Sequence, residues 1–475
     1  MSQSQSDKKN FDRIIKISRS INKIKLFANN YKSHFKVYRR DNTQVAINYL
    51  KGLFFCPKGE ANMEGMEEEV YQSEYRAYQH FISNSKWDWQ GLQEQVAQDT
   101  SKLLLQQKAQ NGLPIGYVVD ESSHRKKGTK SVGVGRQYAG VIGKVDNCQV
   151  GVYASLVNGT SASLINERIF LPKSWMTNKE KCEEAKIPEE ECCEFKTKPE
   201  LALAMIKQDI ERGVVFDWIG GDGLYGHNTE LCNGLEEMEL FYVLDVHKDE
   251  KVYLQEPTFS VPEAKSGKGR KPSKMQPDVK PVRLDNLTKS IPEELWQKEE
   301  IRDTVKGKLY LWVHKRTVWS WDGKSEKAKK RVLIITKTTD SKPKVKYSVS
   351  NGEVDAYTHK EYAYFVSQRY WVERAFDNAK NELGMSDYQI RKWQSWHTHH
   401  AILMMASLYI TEQLIENTKD VPLLSFRDAR ILIVSNICAT QVELERKAMQ
   451  MLKRHRKRKA DIDYAHYKQK EKLKS

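Results

Sequence analysis

The sequence predicts a mixed α/β protein with helical N- and C-terminal regions. Three observations carry this. Residues 115–119 (Ile-Gly-Tyr-Val-Val) and 241–246 (Phe-Tyr-Val-Leu-Asp-Val) are apolar runs of strand length. Between them, residues 201–212 alternate at helical period and stop at Gly213, a good helix terminator. Helical periodicity also dominates up to about residue 112 and again from 363 to about 416.

Phe11, Ile14, Ile15 and Ile17 begin an amphipathic pattern, and Lys36, Arg39 and Arg40 follow it. Trp87-Asp88-Trp89 then leads into Leu92, Val96, Leu103 and Leu104 at helical spacing. Basic positions interleaved with aromatics suit a DNA-binding helical domain. Strands are expected at 115–119, 131–134, 149–154, 214–219 and 241–246, with glycine-containing turns between the early ones. Residues 256–282 are rich in Pro, Gly, Ser and Lys and read as a flexible, solvated loop. Within it, the basic stretch 266–272 is a weaker candidate for lying along a phosphate backbone. Residues 309–313, 332–336 and, more weakly, 347–350 read as further strands. The run 453–459 (Lys-Arg-His-Arg-Lys-Arg-Lys) is a candidate phosphate contact near the C-terminus.

The chain has 475 residues, enough for two to four domains. Its 78 Lys and Arg against 63 Asp and Glu give a net charge of +15, which favours phosphate-rich partners. The polar N-terminus has no apolar signal core, and no run is long enough to span a bilayer, so no membrane role and a cytoplasmic location are expected. Seven Cys without a CxxC pair suit free thiols in a reducing compartment. The spacing of Cys182, Cys192 and Cys193 fits no standard zinc site.

Three acidic residues stand in distinctive settings. Asp120 ends the run 115–119, Asp222 follows the apolar stretch 214–221, and Glu373 lies in a helical segment. Carboxylates that converge repel one another unless a hard divalent cation neutralises them, so the set reads as a magnesium site. Two such ions clamp the attacking and leaving oxygens of a phosphodiester. Arg369, Glu373 and Lys380 fall on one helical stripe, although spacing alone favours a salt-bridged surface helix. Arg125, Lys126 and Lys127 follow Asp120 closely and are candidates to hold a nucleic-acid strand. Glu121 is expected to point away from Asp120 on an extended strand, and His124 to sit in a loop against phosphate or solvent. Gly133, Gly135 and Gly140 form no dinucleotide fingerprint.

The segments 120–128, 131–140, 143–150, 171–175, 221–226 and 369–373 together resemble the core of bacterial insertion-sequence DDE transposases. The resemblance runs from about residue 40 to the C-terminal region. It implies a ribonuclease H-like catalytic domain interrupted by a β-rich insertion. The implied organisation is a helical DNA-binding domain at 1–112, catalytic core at 113–245, insertion at 246–350, core again at 351–415, and a basic helical region at 416–475.

It further implies that Asp120, Asp222 and Glu373 bind two Mg²⁺ ions, with Mn²⁺ as a substitute, and that Arg369 and Lys380 match the Arg and Lys flanking the family's Glu. Where the related signature has a Tyr, this chain has Val366, with Tyr364 or Tyr370 as substitutes. The implied partners are double-stranded DNA, as terminal inverted repeats and target, and a second copy of the chain in the DNA complex. The implied location is the bacterial nucleoid. Many relatives with a β insertion stack a flipped base on Trp. Trp296, Trp312, Trp319 and Trp321 are the candidates here, with core packing the commoner role. A nuclease or resolvase that cuts without joining, and a non-catalytic DNA-binding descendant, stay open as alternatives.

Overall fold

The computed structural model describes residues 8–15, 24–262, 273–304, 307–421, 423–438 and 441–474. Ile17 and the basic stretch 266–272 lie outside them. In chain order the elements that matter are α1 (Thr43–Phe55), α2 (Trp89–Asn111), β1 (Gly116–Arg125), β2 (Gly135–Ala139), β3 (Lys144–Asn158), β4 (Ser161–Phe170) and α3 (Lys198–Glu211). Then come β5 (Trp218–Gly221), α4 (Thr229–Glu237), β6 (Tyr242–Val246), β7 (Gln297–Thr304), β8 (Gly307–Ser320), β9 (Lys329–Thr338) and β10 (Val345–Ser350). The chain closes with α5 (His359–Glu382), α6 (Trp393–Asn417), α7 (Phe426–Cys438) and α8 (Gln441–Lys474). The class is mixed α/β with helical ends. Three strands paired antiparallel (β1, β3, β4) are followed in the chain by α3 and then by a parallel pair (β5, β6).

Two compact units divide the chain. One holds residues 1–216 and 370–461, the other 217–369 and 462–475. In the first, β3 pairs antiparallel with β1, placing Asp120 opposite Tyr153, and on its other side with β4 and β2. α6 packs on β4, and every residue from Ser395 to Thr411 is buried. A helix so thoroughly covered must be apolar or have its polar groups satisfied, and this one carries His397, His399 and His400. α2 starts where Asp88 caps Gly91 N at 2.9 Å and ends at Gly112, which takes the left-handed φ of 70°. α3 opens on a capping box between Thr197 and Glu200.

In the second unit, β6 pairs with β5 in parallel and with β10 antiparallel. β10, β9, β8 and β7 then follow as an antiparallel meander. Val246, Leu284, Leu287, Trp296, Val318, Leu333, Ile335 and Val349 form its apolar core. Between β6 and β10 the described residues hold β7, β8 and β9, four two-residue strands and two short helical segments, Leu284–Lys289 and Glu293–Leu295. The expected loop 256–282 contains a two-residue ladder, Phe259–Ser260 with Gln276–Pro277.

Several expectations shift. The segment 131–134 is a turn, because Gly133 adopts φ +68° and a Cβ there would meet Ile169 at 2.9 Å; the strand is the next five residues. The strand expected at 214–219 begins only at Trp218. Lys36–Val37 pairs with Arg40–Asp41 as a small hairpin whose tip, Tyr38, is fully exposed, so the basic cluster there is not helical. The helical stretch 363–416 is two helices, broken after Glu382.

Candidate active site

Asp120 sits within β1, half-buried, after four buried residues. Its Oδ1 accepts the Glu121 amide at 2.8 Å. Glu121 does not turn away as an alternating strand would have it. A carboxylate oxygen of each lies within 4.8 Å of the other, and Lys198 of α3 donates to Glu121 Oε1 at 2.8 Å. The long Glu side chain bends back to reach that ammonium, where strict alternation describes only the Cβ direction. Glu373 is exposed on α5. Lys380, seven residues further along α5, is half-buried. Burial pulls its ammonium down while Asp377 and Asp120 push it up, so Lys380 and Asp120 feel each other's charge.

The basic residues after Asp120 take three different positions. Arg125, exposed at the end of β1, pairs with Asp146 at 2.9 Å. Lys127 is exposed. Lys126 is turned inward: its Nζ donates to the Tyr388 carbonyl at 3.0 Å and lies 3.7 Å from the Tyr388 ring centroid. Burial lowers its pKa to about 8, against an opposing pull from Asp387. His124 is on β1 rather than in a loop, and it is buried. Its Nε2 shares a hydrogen bond of 3.0 Å with the Tyr153 hydroxyl. Burial, reinforced by Lys380, holds its pKa well below the ordinary value, so it contacts neither phosphate nor solvent.

In the second unit, Asp222 leaves β5 and caps the short helix Gly223–Gly226 by accepting Leu224 N at 2.9 Å. Two glycines of Gly-Asp-Gly-Leu-Tyr-Gly, Gly223 and Gly226, allow close approach. A Cβ on Gly226 would stand 2.0 Å from the Asp245 carbonyl oxygen, and one on Gly223 would strike the His247 ring at 2.8 Å. Asp245, on β6, is half-buried. It accepts Ser348 Oγ at 2.7 Å and pairs with Arg369 Nε at 3.1 Å. Arg369 therefore ties α5 to β6 beside the turn that carries Asp222. Trp296 is buried against His314 with Lys337 over its ring, and Trp321 stacks on Phe259 at 4.4 Å. Trp312 and Trp319 are half-buried.

The family model for DDE superfamily endonucleases matches residues 30–308, a span that includes Asp120 and Asp222. This chain belongs to the DDE superfamily of endonucleases. A curated relative, the "Probable transposase for insertion sequence element IS701" of Microchaete diplosiphon, is 24% identical over 315 residues, 66% of this chain and 67% of its own. Among solved structures, the piggyBac transposase synaptic complex with hairpin DNA aligns over 94% of this chain and 82% of its own, at 12% identity and a TM-score of 0.36.

The donor chemistry of this DDE endonuclease suits a hard divalent cation: oxygen ligands from Asp and Glu, with no thiol or imidazole required. No described helix is long and apolar enough to cross a membrane. Sequence reading missed the buried polar network behind β1. Glu167 of β4, itself fully buried, accepts from Trp396 Nε1 and pairs with His397 Nδ1 at 2.5 Å. The Tyr153 hydroxyl bridges His124 and His400, with His400 Nε2 at 2.9 Å. The signal available in the sequence was the density of histidine in Trp396-His397-Thr398-His399-His400, at positions where helical periodicity demands burial.

Proposed function

We propose that this endonuclease is a transposase that cuts the terminal inverted repeats of its own element and joins the 3′ ends to target DNA. The observation that carries the reading is the family match spanning both Asp120 and Asp222. The curated relative's name points the same way. Asp120, Asp222 and Glu373 hold two divalent ions, Mg²⁺ or Mn²⁺, as oxygen ligands. Bound there, the ions stabilise charge on the attacking and leaving oxygens of an in-line phosphodiester displacement. The chain needs no nucleophile of its own, since water and then a DNA 3′-hydroxyl attack.

The exposed Arg125 and Lys127, the hairpin cations Lys36, Arg39 and Arg40, and the exposed Lys453 and Arg456 supply phosphate contacts. Arg369 and Lys380 join them by exchanging their present carboxylate neighbours for phosphate oxygens. Residues 1–112 and 416–475 grip DNA on either side of the catalytic core at 113–245 and 351–415, with 246–350 inserted. A homodimer engages two ends in the bacterial nucleoid.

The test uses DNA carrying the inverted repeats that flank the protein's own gene. Pre-cut ends with a free 3′-hydroxyl should be joined to a target plasmid in the presence of Mg²⁺ or Mn²⁺, and Asp222→Ala should abolish joining. Cleavage of uncut ends without joining of pre-cut ones would mark a nuclease or resolvase instead. Specific end binding with neither reaction would mark a non-catalytic descendant.

A further inference from the structure

Lys126 and Lys127 are neighbours of identical chemistry with opposite fates. Lys127 is exposed, whereas Lys126 is half-buried with its ammonium turned inward. A buried ammonium is costly unless acceptors surround it, and an apolar side chain of the same length would fill the space without that cost. The acceptors it has chosen are informative. Its Nζ donates to the carbonyl of Tyr388 at 3.0 Å and reaches that of Ser386 at 3.5 Å, while the Tyr388 ring covers it.

We propose that Lys126 is a positioning residue: it clamps the end of β1 to the segment following α5, and so fixes the spacing between Asp120 and Glu373. The inference rests on the reading of those two carboxylates as metal ligands. Segment 386–388 is held from three sides. Lys126 ties it to β1, and the Tyr388 hydroxyl donates to Gln149 Oε1 of β3 at 3.0 Å. Asp387 accepts the amides of Gly59 at 2.9 Å and Ala61 at 3.3 Å. The backbone of Lys126 is fixed as well, since Asn147 Nδ2 donates to its carbonyl at 2.6 Å.

α5 ends at Glu382, and Gly384 turns the chain with φ +63°, where a Cβ would stand 2.2 Å from that of Ala61. Only a few residues thus separate the helix end from the clamp. An α-helix is a stiff rod rising about 1.5 Å per residue, so an anchored end dictates where Glu373 stands. β1 is equally continuous from Asp120 to Arg125, the residue before Lys126.

The test compares Lys126→Met with Lys127→Met in the full-length protein. Mn²⁺ affinity is read by titration without DNA, end-DNA affinity is read across a salt series, and the thermal midpoint serves as a folding control. Removing groups that orient metal ligands weakens metal binding by about 10–100-fold, so Lys126→Met should lose about tenfold or more in Mn²⁺ affinity. Its DNA affinity and salt slope should match the parent's. Lys127→Met should do the reverse, with Mn²⁺ binding unchanged and a shallower salt slope. If Lys126→Met does not fold, Lys126→Gln, which keeps a donor for the Tyr388 carbonyl, is read the same way, with a smaller loss of Mn²⁺ affinity.

Parental Mn²⁺ affinity in the folded variant would overturn the proposal. So would a Lys126 variant that loses only salt-dependent DNA binding, since that marks a phosphate contact. Asp120→Ala is the control for the underlying reading. If it leaves Mn²⁺ affinity unchanged, the carboxylate assignment itself fails and this inference goes with it.

Discussion

The interior of the first unit and the strand meander of the second are stabilised by different kinds of contact. Behind β1, buried polar groups are matched by partners far away in sequence, Glu167 with Trp396 and His397 and Tyr153 with His124 and His400, and the half-buried Lys126 reaches Tyr388. In β7 to β10, each strand pairs with its sequence neighbour and the interior is mostly apolar. Of the charged pairs there, Lys330 with Glu353 is exposed at 2.7 Å, while the buried Arg331 pairs with Glu236. A buried polar network specifies one arrangement and fails badly when one member is lost. An apolar meander tolerates small changes in proportion to the volume removed.

The sharpest way to break this contrast is Glu167→Ala. It strands the Trp396 and His397 donors in the interior, and removal of one partner from a buried pair costs about 3–5 kcal/mol. Urea unfolding should show that loss. A cost under about 1 kcal/mol would mean that the network is not what fixes this interior.

Acid should act on the same network. Burial lowers the pKa of His400 to about 4, with Glu167 opposing. An unfolded histidine takes up its proton near pH 6.5. The stability that depends on neutral His400 is therefore complete above about pH 6.5 and drains away toward about pH 4, on the order of 3 kcal/mol in all. For Glu167, burial raises the pKa but His397 and Trp396 outweigh it, leaving a value of about 2. Its contribution is present above about pH 4.5 and is lost as pH falls toward about 2. Thermal midpoints measured from pH 7 to pH 4 should fall, and His400→Gln should flatten that slope.

In the meander, Ile335→Val removes one buried methyl group and should cost about 1 kcal/mol by denaturant unfolding. Smallest of all, Lys330→Ala breaks an exposed pair and should change stability by no more than about 0.5 kcal/mol.

The same contrast explains what the sequence revealed. β8, β9 and β10 were legible because their apolar runs pair locally and their turns lie between them. β9 buries six residues in succession, Arg331 to Thr336, which is why 332–336 stood out. β7, with Lys298, Glu299, Glu300, Arg302 and Asp303, has no such pattern and was missed. The strand-end setting of Asp120 and the glycine-flanked Asp222 were both readable. The continuation of β1 through Arg125 was not: Ser122, Ser123 and His124 look like a polar loop, yet all three are buried, with Trp396 and His400 of α6 against His124. The inward turn of Lys126 depends on a carbonyl 262 residues away and leaves no local trace. The same holds for the Arg369 pairing with Asp245, which spacing along α5 cannot reveal.

The central claim is that Asp120, Asp222 and Glu373 act as one set in metal-dependent DNA cleavage. It is tested most directly by measuring Mg²⁺- and Mn²⁺-dependent cleavage at the element's own ends, alongside end binding, for the three single alanine variants. Each variant should bind ends like the parent and fail to cut. A variant such as Asp222→Ala that cuts at the parental rate would contradict the assignment.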